Sequence, residues 1–276
     1  MNPSRDLPWV IVGYGRVGQS LALLARRIDA NVKATWNRTE QAANGASVSS
    51  PNPRYGELDT ALTTVFKAPA LVWLTVVDDA ISSCFDSLVD ALSPGSIIVH
   101  TSGSLPSTIL NAPPDVSVAS LHPLLAISDP RTALHRFSRC HWTVEGDDDA
   151  VEFIEALLAP QDIVPLRIPP QHKILYHASA VTAANLLVSL FDAAITMAET
   201  ADIDADKARQ MLVELGQSSL ENLADRRPKE ALTGPVSRGD QAVIERHRRA
   251  LGDCDDPTLL EIYDLLTQRA LDRLSD

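Results

Sequence analysis

The chain has 276 residues, 45% of them apolar, and carries 24 basic against 36 acidic residues for a formal charge of −12. That length buries a full core in one large domain or two ordinary ones, and so acidic a surface repels nucleic acid and anionic membranes, so neither is expected as a partner. Cys84, Cys140 and Cys254 form no CxxC pair and no short Cys/His spacing, which points to reduced thiols and away from a zinc site.

The polar stretch Met1–Pro8 lacks the apolar centre of a signal peptide, so a cytoplasmic location is expected. From there short β-rich runs alternate with helical stretches. Trp9–Val12, Val32–Trp36, Ala70–Val76, Ser96–Thr101, Val116–Leu121 and His141–Val144 read as strands, several apolar at successive positions as strands covered on both faces should be. Helix-like stretches lie at Val17–Ile28 and Ala80–Leu92. The alternation predicts an α/β fold, a doubly wound, mostly parallel sheet.

Pro165, Pro169 and Pro170 then crowd six residues, which sustain neither helix nor central strand. The domain boundary is placed there, giving residues 1–167 as a Rossmann-type domain and 168–276 as an all-α domain. Helical patterns follow at about Gln171–Ala201, Asp204–Ala224, Asp240–Leu251 and Pro257–Leu274, with Asp204 and Asp240 as N-caps and Pro257 in a first turn. The apolar run Ile174–Ile195 carries His177, Ser179, Thr182, Asn185, Ser189 and Asp192. It reads as a buried helix rather than a membrane span.

Between the first strand and first helix lies Gly13-Tyr14-Gly15-Arg16-Val17-Gly18. GxGxxG spacing is weak alone, but this context is the one a dinucleotide demands. Gly13 permits the tight turn, Gly15 lets backbone approach a pyrophosphate, and Gly18 packs helix on strand, while the helix N-terminus offers free N–H groups. The second strand ends at Asn37-Arg38-Thr39, where an NAD site usually has an acid for the ribose 2′-OH. An arginine fork suits a 2′-phosphate, so NADP is the expected cofactor. Glu40 stands close by in sequence and leaves NAD as the alternative.

Strand ends line the ligand crevice in such sheets. Thr75 and Val76 should therefore flank the cofactor, with Asp79 capping the next helix. Thr101 and Ser102 should lie at the nicotinamide edge. His100 is a substrate-side candidate and His122 a catalytic one, either of which could equally be structural.

Gly13–Gly18, Asn37-Arg38-Thr39, His100-Thr101-Ser102-Gly103, His122-Pro123-Leu124, Tyr176-His177-Ala178 and Thr233–Asp240 together resemble a bacterial family. It joins a Rossmann-like domain to a helical one known as domain of unknown function 2520, and the resemblance spans nearly the whole chain. That family resembles the 6-phosphogluconate and β-hydroxyacid dehydrogenases and the pyrroline-carboxylate reductases. The resemblance implies NAD(P)H chemistry and a homodimer formed through the helical domain. Those dehydrogenases use a Lys and an Asn one turn apart on the first long helix after the Rossmann domain. Lys173 and His177 fall there, roughly 40° apart on one helix face, with His177 where Asn is usual. Lys173 would exchange a proton with a substrate oxygen and His177 would relay or orient; a solvated lysine and a core histidine are the alternatives. Asn185 stands near the cofactor or bonds a neighbouring helix. Arg238 covers an anionic substrate or cofactor group, or belongs only to the turn before Asp240.

The sequence thus predicts an NADP-dependent oxidoreductase for a small carbonyl, hydroxyl or imine substrate, with an NADP-binding sensor without turnover as the alternative. A purely structural helical module is disfavoured by the intact Gly13–Gly18 turn. Fold analogy does not choose a substrate.

Overall fold

The computed structural model describes residues 7–44 and 46–274. Eight strands form one sheet in the order β3-β2-β1-β4-β5-β6-β7-β8. They are β1 (Trp9–Val12), β2 (Val32–Asn37), β3 (Pro53–Tyr55), β4 (Leu71–Leu74), β5 (Ile97–His100), β6 (Ser117–Pro123), β7 (Trp142–Gly146) and β8 (Leu166–Arg167). All neighbours run parallel except β6 and β7. Strand order reverses between β1 and β4, which is the switch point where a ligand crevice opens.

The apolar strand runs explain the layering. Along β1, Trp9 and Ile11 face one core while Val10 and Val12 face the other. Trp73 of β4 joins Trp9 in the first, with ring centroids 5.1 Å apart, and Val72 and Leu74 join the second. Both faces are therefore dry, as the unbroken apolar runs predict. The six expected strands are all present. β3 is three exposed residues beginning at a proline, and β8 is a two-residue edge strand, so neither has an apolar run to announce it. The short helices Glu40–Asn44, Leu58–Leu62 and Pro130–Arg136 also lie outside the sequence expectations, as does the Asp148–Leu158 helix.

Two compact units divide at Ala180/Val181 rather than at Arg167/Ile168. The reason is Lys173, whose side chain is 1% exposed and bonded to the strand ends of the first unit. It draws the start of the Lys173–Ala183 helix into the sheet unit.

The second unit is all-α. Its long helices are Asn185–Thr200, Ala205–Asp225, Gln241–Gly252 and Pro257–Arg273. Asp204 accepts from Lys207 N at 3.1 Å and Asp240 from Val243 N at 3.1 Å, so both expected N-caps are in place. Gly216 lets the Ala205–Asp225 helix approach its neighbour: a Cβ there would meet Phe191 Cζ at 2.2 Å. The helical run Pro170–Thr200 is long and apolar enough to cross a membrane by length and composition. It is not the buried helix its sequence suggests, since Ile174, Leu175, Leu186, Val188 and Leu190 are exposed in the single chain. Leu215, Leu220, Leu223, Leu265 and Leu266 are exposed on other helices of the second unit.

Candidate functional site: the switch-point cleft and its histidine wall

The glycine turn follows β1 directly. Gly13 has φ +94°, and a Cβ would meet the Thr75 carbonyl carbon and Val76 N at 2.8 Å, so only glycine fits. Gly18 lies against Gly13 O, where a Cβ would come to 2.2 Å, which brings helix Arg16–Arg27 down onto the strand. Gly15 is different. A Cβ there meets nothing within 4 Å, and its φ of −74° suits any residue. The space above Gly15 is free of protein, as a turn that receives a pyrophosphate requires. The Asn37 carboxamide oxygen accepts from Tyr14 N at 2.8 Å, tying the end of β2 to the turn. Arg38 and Thr39 are exposed beyond it, and Thr39 Oγ1 accepts from Ala42 N at 3.2 Å as a cap.

Several expected contacts turn out to be supports. The Tyr14 ring is 2% exposed and packed in the core, its hydroxyl donating to Ser49 O at 3.2 Å, so only its backbone belongs to the turn. Thr75 spends its hydroxyl on the carbonyls of Val12 and Gly13. Val76 packs against the second core.

Arg16, Val17, Thr75, Thr101, His122, Pro123, Leu125 and Ile127 line a cleft of about 310 Å³ at the C-terminal strand ends. The turn residues and the β4, β5 and β6 ends that sequence singled out thus converge. Behind His122 stands a polar wall drawn from several segments. Asp78 Oδ2 accepts from the hydroxyls of Ser102 at 2.8 Å and Ser104 at 2.7 Å. Ser102 is buried, and its carbonyl accepts from Lys173 Nζ at 3.0 Å. Lys173 also donates to Ser120 Oγ at 2.5 Å and stands 3.9 Å from Glu145 Oε1. Glu145 in turn accepts from Ser107 N and Ser107 Oγ, each at 2.8 Å.

Two expectations change here. Lys173, expected to serve the substrate as a proton donor, is sealed from solvent with its ammonium committed to the Ser102 carbonyl, Ser120 and Glu145. Burial brings that ammonium down to about 8, opposed by Glu145 and then Asp78. His100, expected at the substrate edge, is fully buried, and its Nδ1 accepts from Ser102 N at 3.3 Å. Burial, with the Lys173 charge behind it, holds His100 down to about 4. Both residues hold the wall up from inside.

His122 and His177 meet over Gly103. Their ring centroids are 5.9 Å apart at 81°. A Cβ on Gly103 would meet His177 Nδ1 at 2.6 Å and His122 Nε2 at 2.9 Å, so glycine is the residue that lets the rings close. Lys173 bonds the residue before Gly103 and His177 sits over Gly103 itself, so the one-face spacing of the two is realised on the Ser102-Gly103 loop. His122 Nδ1 lies 3.0 Å from the Tyr176 hydroxyl, and burial, reinforced by the charge of Lys173, holds His122 down to about 4. Asn185 and Arg238 belong to the second unit, and both are exposed.

Sequence reasoning gave no role to Asp78, Ser120 or Glu145; it placed Gly103 only at a nicotinamide or substrate edge and Tyr176 only within a family motif. Glu145 had a signal: a lone carboxylate inside the apolar strand Trp142-Thr143-Val144-Glu145 demands a buried partner.

A doubly wound sheet with a glycine turn at its switch point defines the Rossmann-like class. The family comparisons name the same class: residues 2–123 match a Rossmann-like domain, and residues 140–270 match the domain of unknown function DUF2520. The two matches follow one another along the chain, each over less than half of it. No curated protein matches it. Among solved structures, a Bacteroides fragilis protein named as a candidate NADP oxidoreductase is 21% identical, covers 98% of this chain and 100% of its own, and has a TM-score of 0.76. A Thermotoga maritima protein is 23% identical over 97% of this chain and 98% of its own, with a TM-score of 0.74. The NADP-bound pyrroline carboxylate reductase of Plasmodium falciparum is 8% identical over 97% of this chain and 98% of its own, with a TM-score of 0.60. At these identities the likeness is one of fold.

Proposed function

We propose that the chain is an NADP-dependent oxidoreductase acting on a small carbonyl, hydroxyl or imine substrate. The observation that carries this reading is that Arg16 and Val17 of the glycine turn, open above Gly15, line one cleft with His122, whose imidazole burial holds neutral. The names of its structural neighbours support it, including NADP oxidoreductase, NADP-bound reductase and imine reductase. Gly13, Gly15, Arg16 and the helix N-terminus would hold the pyrophosphate, and Arg38 would pair with the 2′-phosphate. The bound nicotinamide would supply hydride chemistry. His122, at the cleft wall, would then hydrogen-bond the substrate atom that gains or loses the proton. Lys173 keeps the Ser102 carbonyl and Ser120 in place, which fixes the loop carrying Gly103 beneath the two histidines.

Calorimetric titration with NADP and NAD tests the cofactor. A panel of aldehydes, ketones, alcohols and cyclic imines, followed by nicotinamide absorbance, tests turnover. Tight NADP binding with no turnover across the panel would favour the sensor reading instead. The exposed leucines of the second unit support a homodimer through the helical domain. Light scattering at micromolar concentration is expected to give twice the mass of one chain, and a monomer refutes it.

A further inference from the structure

His122 lines the cleft and commits one ring nitrogen, Nδ1, to the protein. Its Nδ1 lies 3.0 Å from the Tyr176 hydroxyl, with the two rings edge to face at 83°. Its opposite edge, Cε1 and Nε2, passes over Gly103, and among the described residues no protein group bonds that Nε2. A neutral imidazole has one N–H and one bare nitrogen, so whatever Tyr176 does at Nδ1 decides what Nε2 presents.

Two arrangements fit a 3.0 Å contact: the phenol donates to a bare Nδ1, or Nδ1–H donates to the phenol oxygen. The first is favoured on chemical grounds. A phenol is a good donor and a poor acceptor, because its lone pair is delocalised into the ring, while a bare imidazole nitrogen is the stronger base. The surroundings agree. Burial raises the Tyr176 hydroxyl above its usual range, opposed by the Thr143 hydroxyl beside it. The ring of His122 stays neutral between buried Lys173 on one side and His177 on the other, with Asp78 the only opposing charge among the causes of its shift.

We propose that Tyr176 is a positioning residue: its hydroxyl donates to Nδ1 of His122, fixes the Nε2–H tautomer, and so presents a neutral N–H donor at the cleft wall. Such a donor matches an acceptor atom, a carbonyl oxygen or an unprotonated imine nitrogen, and does not match an ammonium. The tautomer is a property of the folded chain, whereas its use in turnover rests on the oxidoreductase reading.

The test is nuclear magnetic resonance on protein isotope-labelled at the histidine ring nitrogens, at neutral pH and without cofactor. His122 is assigned as the ring lost in His122→Gln. The expected result is a bare Nδ1 and a protonated Nε2 in the wild type, and a mixture of tautomers in Tyr176→Phe. A wild-type ring protonated at Nδ1, or a tautomer unmoved by Tyr176→Phe, overturns the assignment. Should Tyr176→Phe fail to fold, the wild-type spectrum decides alone. On any substrate the panel yields, Tyr176→Phe should lower kcat about 10-fold, the worth of roughly one hydrogen bond, with KM within about twofold. An unchanged kcat overturns the catalytic use while the spectrum still judges the tautomer. A panel without turnover sinks the oxidoreductase reading and leaves the spectrum standing.

Discussion

The Gly13–Gly18 turn and the His122 wall share one rim of one sheet and are built by opposite means. The turn is local: six consecutive residues, held by Asn37 and Thr75, whose glycines leave the backbone open where a pyrophosphate is proposed to sit. The wall is made of side chains from Asp78, the 100–104 loop, β6, β7 and the Lys173–Ala183 helix, none adjacent to the next in sequence. A backbone site survives any change that adds no bulk. A side-chain site fails when any one support is withdrawn.

The sharpest way to break the turn is Gly15→Val. A Cβ at Gly15 meets no protein atom and the φ of −74° suits any residue, so the melting temperature should hold while NADP affinity falls more than about 100-fold, because the side chain fills the pyrophosphate space. Calorimetry beside thermal unfolding decides it; a folded variant that binds normally moves the cofactor elsewhere.

The wall should respond in turnover rather than in binding. His122→Gln is expected to cost roughly 10²–10⁴-fold in kcat, with NADP affinity within a few fold. A variant at the wild-type rate would make His122 structural.

Lys173 separates support from chemistry. Lys173→Met removes the partner of buried Glu145 and two hydrogen bonds, and should cost about 3 kcal/mol of stability. Lys173→Met with Glu145→Gln should recover part of that loss. Urea unfolding of the three proteins measures both; an additive double variant shows that the two side chains are not coupled.

Back at the turn, Arg38→Ala should weaken NADP by about 1.5–3 kcal/mol and leave NAD unchanged, since only one of them carries the phosphate. Equal losses for both cofactors would remove the basis for NADP preference.

The mildest probe is pH. His100 is neutral in the fold down to about 4, while the unfolded chain takes up a proton near the ordinary histidine value of 6.5. Its folded value is depressed, so the unfolded state binds more protons in that window, and stability should fall as pH drops from 6.5 toward 4. His122 is depressed to the same value and contributes to the same limb, so His100→Asn should make it shallower without removing it; a profile identical to wild type would show that His100 does not contribute.

The contrast also explains what the sequence could tell. The six apolar strand runs, the glycine turn and the Asp204 and Asp240 caps are each signalled within a few residues, and each is where it was expected. The depth of His100 is not signalled, because it depends on the 102–107 loop that folds over it. The boundary was misplaced for the same kind of reason. Three prolines mark a break in local structure, but what keeps the next helix with the sheet is a buried ammonium whose partners lie 53 and 71 positions away. Asp79 read as the cap of the next helix and Asp78 carried no signal, and only the Ser102 and Ser104 hydroxyls show that Asp78 belongs to the wall.

Asn37 carries one last consequence. Its carboxamide oxygen holds the Tyr14 N–H at 2.8 Å, so the residue pins the turn beside the position proposed for the ribose. Asn37→Asp would keep that bond through one oxygen and turn the amide nitrogen into a second acceptor, the group a ribose hydroxyl asks for and a phosphate avoids. On the proposed NADP site, with Arg38 still in place, replacing that single nitrogen by oxygen is expected to shift preference toward NAD with no change of shape.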